Sequence, residues 1–67
     1  MVTLREQIAE AHRELALRRQ CYPAWVQSGK LAGDAAMRQL QAMEAIVRTL
    51  ETLEATQGQM ALFARAP

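Results

Sequence analysis

The chain has one cysteine, two prolines, three glycines and three aromatic residues among 67 positions, and each shortage removes a class of answer. A single thiol, Cys21, forms no intrachain disulfide, so the staple that small secreted domains rely on is missing and a reducing, cytoplasmic setting is expected. No apolar run approaches the roughly 18 residues of a membrane span. The opening Met1-Val2-Thr3-Leu4-Arg5-Glu6 does not read as a signal peptide. A formal net charge of +1 gives little general attraction to nucleic acid. At 67 residues the chain also falls short of the roughly 70 to 80 at which one core usually sustains itself without metal, disulfide or association.

What is present is a helix-forming alphabet of Ala, Leu, Gln, Glu and Arg. Thr3 followed by Glu6 has the spacing of a capping box and predicts a helix from about residue 3. Leu4, Ile8, Ala11, Leu15 and Tyr22 then fall on one stripe at 100° per residue, and Glu14 to Arg18 is a favourable i to i+4 pair. Pro23 is expected to end this helix at Tyr22, since it lacks an amide hydrogen and disfavours helical geometry in the preceding residue. A structured turn over 23–32 follows: Pro23 opens a short helical turn and Gly29 closes it in left-handed geometry.

A second helix is predicted over about 33–57, with Asp34 in its first turn and Gly58 as its stop. Ala36, Leu40, Met43, Val47 and Leu50 form its main stripe; Ile46 and Leu53 widen that stripe to one side, beyond what a single neighbour covers. Glu44 to Arg48 is a further i to i+4 pair. The tail, 58–67, contains Met60, Leu62 and Phe63 and reads equally as a last helical turn or a frayed end.

The expected fold class is therefore all-α: one antiparallel helical hairpin that dimerises into a four-helix arrangement. Burying an aliphatic side chain is worth about 1.5 to 3 kcal/mol against about 1.5 for ordering a residue, so a hairpin with half-wet stripes gains little alone. A closed two-fold pairing answers that, with Ile8, Ala11, Leu15, Leu40, Met43, Val47 and Leu50 as its expected core. Arg18 and Glu54 interrupt the stripes at opposite ends of one chain; they either pair across a head-to-tail dimer or run out to solvent at the bundle ends.

Chemistry-bearing residues are sparse. His12 has no Cys, Asp or Glu beside it at metal-ligand spacing, and Cys21, near Arg18 and Arg19, reads as a structural thiol with no base to activate it. Gly29 and Gly33 flank Lys30 without phosphate-loop spacing, so no catalytic, metal or cofactor residue is assigned and enzymatic activity is not expected. The densest feature is Tyr22-Pro23-Ala24-Trp25-Val26 close to Arg18, Arg19 and Lys30. Aromatics with arginine make partner-binding hot spots, and Tyr22 and Trp25 equally serve to plug the open end of a bundle.

The run Arg18-Arg19, Tyr22-Pro23, Trp25-Val26, Gly29-Lys30-Leu31, Ala35, Leu40, Met43-Glu44-Ala45-Ile46 and Leu50 resembles a group of short proteins of bacteriophages and prophages of Gram-negative bacteria. The likeness covers roughly residues 15–53; such sequences carry Ser or Thr where this chain has Ala32, which leaves the cap of the second helix in question. Small helical phage proteins of this size include dimeric host-protein inhibitors, among them the quorum-sensing anti-activator type that binds a LuxR-type regulator and interferes with type IV pilus assembly. The resemblance implies a homodimer that inhibits or redirects a host protein, such as a transcriptional regulator, with no binding residue carried over. Two other readings stand beside it. Doubling Arg13, Arg18, Arg19, Lys30 and Arg38 would make a nucleic-acid accessory protein, against which Glu44, Glu51 and Glu54 weigh. The other is a passive module of a larger phage assembly.

Overall fold

Thr3 starts the first helix as its chemistry requires. Its backbone is extended and its Oγ1 accepts the Glu6 amide at 3.1 Å, satisfying one donor that the first turn leaves free. The Glu6 carboxylate returns to the Thr3 hydroxyl, also at 3.1 Å, where a full capping box would engage the Thr3 amide. A computed structural model describes residues 1–65, with side chains as far as 61, and shows two antiparallel-packed helices: α1, Leu4–Gln27, and α2, Gly33–Arg65. No strand occurs among the described residues, and the hairpin is a rod of 60 × 22 × 16 Å.

The helix does not stop at Tyr22. Pro23 lies inside α1, which runs on through Trp25 and Val26 to Gln27. Pro23 withdraws the amide that would reach the Arg19 carbonyl and sets its ring against that carbonyl, a penalty of about 3 kcal/mol in a helix interior. Against it stands Tyr22, buried on α2 with its hydroxyl donating to Gln39 Oε1 at 3.0 Å, which holds the residue before the proline in the helix. Packing overrides the local preference here.

The end of α1 is built by its carbonyls. Ser28 donates its amide to Ala24 O at 3.0 Å, and the Trp25 carbonyl takes both the Ser28 hydroxyl and the Leu31 amide, each at 3.2 Å. Gly29 makes this closure with φ +81°, the one positive φ among the described residues. At the start of α2, Ala32 lacks a capping side chain, but its carbonyl accepts the Ala36 amide at 2.9 Å and the Asp34 carboxylate accepts the Ala35 amide at 2.9 Å.

Gly58 does not end α2, which continues to Arg65. A mid-helix glycine costs about 1 kcal/mol relative to alanine, too little to break a helix with good formers on either side. The side chains of Leu62 and Phe63, and residues 66–67, lie outside what is described.

The core is a single seam between the helices. Ala11, Leu15, Met43 and Val47 are buried in one cluster with Leu40 and Leu50 packed on it, while Tyr22 and Ala36 close the turn end. Of the residues expected as the core of a four-helix dimer, Ala11, Leu15, Leu40, Met43, Val47 and Leu50 form this seam within one chain, and Ile8 is half-buried. The two glycines of opposite character give a paired prediction. Gly29→Ala should lower stability by about 1 kcal/mol, because alanine meets the left-handed penalty although space is open around it. Gly58→Ala, where an added Cβ also meets nothing within 4 Å, should raise it by about 0.5 to 1 kcal/mol. Urea titrations followed by circular dichroism at 222 nm (the helix band) check both; equal effects would contradict the assigned backbone.

Candidate functional site: the turn end and an open apolar edge

The two long edges of the hairpin differ. Along one, polar contacts tie α1 to α2: the ion pairs of Arg5 Nε with Glu54 at 3.7 Å and Arg19 Nη2 with Glu44 at 3.4 Å, and His12 Nε2 beside Glu51 at 3.0 Å. All three are solvent-exposed and contribute little affinity, yet together they fix register and cover that edge with polar atoms. Glu44 thus turns to Arg19 rather than to Arg48, and the charge beside His12 comes from the other helix. Among the described residues no three His, Cys, Asp or Glu side chains are placed to hold a metal ion.

Along the opposite edge the groove between the helices is lined by Glu6, Gln7, Glu10 and Glu14 of α1 and by Met43, Ile46 and Leu50 of α2. Here Ile46 and Leu53 stay 48% and 45% exposed, and Met60 further along is 65% exposed. The widening of the second stripe read from the sequence is thus left uncovered by α1. Glu10 bonds Arg13, which holds its carboxyl below the ordinary value and raises the guanidinium; both are fully exposed.

At the turn end the six residues singled out from the sequence divide. Tyr22 is buried. Arg18 is half-buried, its Nε on Glu14 at 3.1 Å and its Nη1 on the Gln39 carbonyl at 2.9 Å, and Arg19 is held by Glu44. Arg18 and Glu54 therefore each find a partner inside one chain, and no head-to-tail pairing between them is needed. Trp25 is 43% exposed, its ring 5.6 Å from that of Tyr22 at an interplanar angle of 32°. Val26 and Lys30 are exposed as well. One aromatic is thus core and the other surface, a division set by the 100° helical step that α1 continues past Pro23. Cys21 is a half-buried free thiol in the same shallow depression as Leu17 and Trp25.

Sequence reasoning missed the three cross-helix side-chain contacts and the exposed Met37, which borders the groove containing Pro23, Val26 and Leu40. Only the register of an antiparallel hairpin turning at Gly29 would have found them. No helix is long and apolar enough to cross a membrane, among the residues described. Comparison with family models, curated proteins and solved structures finds no match.

The division of the aromatics is testable by denaturation. Tyr22→Ala should cost about 3 kcal/mol or more as a core truncation, and Tyr22→Phe about 0.5 to 1.5 through the bond to Gln39. Trp25→Ala should cost only about 1 kcal/mol, since nearly half of the residue is already wet. A Trp25 cost equal to that of Tyr22→Ala would make both rings structural.

Proposed function

We propose that this chain is a small homodimeric interaction protein, of the phage or prophage type that it resembles, which binds a protein of the bacterial host and inhibits or redirects it. The contact surface is the turn end, and it acts in the host cytoplasm without a catalytic step, cofactor or metal. A transcriptional regulator of the quorum-sensing kind is the partner class that the resemblance implies.

The observation that carries this reading is Trp25 with Val26, presented on a continuous helix and left exposed while the neighbouring Tyr22 is buried. An exposed tryptophan held on a helix is among the residue types most enriched at interface hot spots. The nucleic-acid alternative fares worse, because Arg13, Arg18 and Arg19 already meet Glu10, Glu14 and Glu44. A phosphate backbone would have to displace those carboxylates.

Affinity capture from a Gram-negative bacterial lysate on the immobilised wild-type chain tests the reading, with Trp25→Ala alongside. A specific protein should be retained by the wild type, and Trp25→Ala should weaken its binding by about 30-fold, equivalent to about 2 kcal/mol, while the variant stays helical. Retention of no specific protein, or equal retention by the variant, overturns the assignment of Trp25 as anchor.

A further inference from the structure

We propose that a second copy of this chain packs antiparallel on the edge of α2 that carries Ile46, Leu53 and Met60, with the large side chains of one copy seated against small ones of the other. This rests on the homodimer reading above and gives it a face, an orientation and a register.

The two edges of the hairpin already point to one of them. The polar contacts linking the helices run along the opposite edge, and the edge of Ile46, Leu53 and Met60 has large apolar groups about half exposed or more. On that edge the spacing is regular: Ile46, Leu53 and Met60 recur every seven residues, and Ala35, Ala42 and Thr49 recur at the same interval between them. With Gln39 and Thr56 filling the two remaining places, the positions fall three and four apart and form a second coiled-coil seam, separate from the one facing α1.

The order of sizes selects the orientation. In a two-fold pair, residue i meets j while j meets i. An antiparallel crossing centred between Val47 and Arg48 sets Ile46 opposite Thr49, Leu53 opposite Ala42 and Met60 opposite Ala35, so that a large apolar side chain meets a small one in these layers, while Gln39 meets Thr56 in a polar one. A parallel pair would set each residue on itself, stacking large on large and small on small, which interiors packed to crystal density do not accommodate evenly.

Charge selects the same orientation independently. Residues 15–49, the turn half of the rod, carry five basic and two acidic side chains, whereas residues 1–14 and 50–61, the open half, carry five acidic and two basic. Antiparallel stacking lays the basic turn half of each copy over the acidic open half of the other; parallel stacking lays like on like. Such complementarity sets orientation more than affinity.

The test uses single cysteines in full-length chains carrying Cys21→Ser. One chain carries Ala42→Cys and another Leu53→Cys, both at sites exposed in the hairpin, with Ala35→Cys and Met60→Cys as a second pair. Under mild oxidation each mixture should give about tenfold more disulfide-linked dimer than either of its chains alone, since the bond forms only when Cα atoms come within about 7 Å. Covalent dimers from one variant alone would mean a parallel pair and overturn the proposal. No crosslinking in either mixture, with the wild type sedimenting as a dimer, would mean another face and also overturn it. A wild type that sediments as a monomer would remove the homodimer reading itself.

Discussion

The apolar arc of α2 is wider than one helix can cover, and the rest of the structure follows from how that arc is shared. Met43 and Val47 take the shelter of α1 through Ala11 and Leu15, and this seam gives the hairpin its single core. Ile46 and Leu53, turned to one side on the same helix, receive no such shelter. Each long aliphatic group left half wet forgoes a good part of the roughly 1.5 to 3 kcal/mol its burial is worth, a serious loss in a chain of this size. The arc thus holds the hairpin together with one part and leaves the other available to a second surface.

Polar groups are distributed to match. Two exposed ion pairs and the His12–Glu51 contact occupy one edge, where they set which residue of α1 lies beside which residue of α2, and each adds little stability. The opposite edge and the turn end keep their apolar groups accessible, including Trp25, whose placement depends on α1 surviving Pro23. The penalty of a proline inside the helix is tolerated because Tyr22, immediately before it, is anchored to Gln39. Fold and candidate contact surface are therefore coupled at a single helical turn.

What could be read directly from the residues was chiefly what local chemistry decides. Thr3 as a cap, Gly29 as a left-handed closure and the stripes of both helices all follow from interactions within a few residues. Pro23 and Gly58 were misread as stops because the local penalty, about 3 kcal/mol for the proline and about 1 kcal/mol for the glycine, is outweighed in each case by the rest of the helix and its packing. Glu14 beside Arg18 was legible as an i to i+4 pair, whereas the Gln39 carbonyl that Arg18 also reaches and the partners of Arg19 and Glu54 were hidden, because they depend on the register of the hairpin. Of the candidate contact residues, spacing along α1 could not separate buried Tyr22 from exposed Trp25 while the helix was taken to break between them.

The central claim is that the arc on α2 needs a second copy. Thermal unfolding of the wild-type chain at concentrations from about 1 to 100 µM tests it most directly, since mass action makes the midpoint of an associating fold depend on concentration. The account predicts a midpoint that climbs with concentration. A cooperative transition whose midpoint is the same at every concentration, from a species of 7.5 kDa, would contradict it.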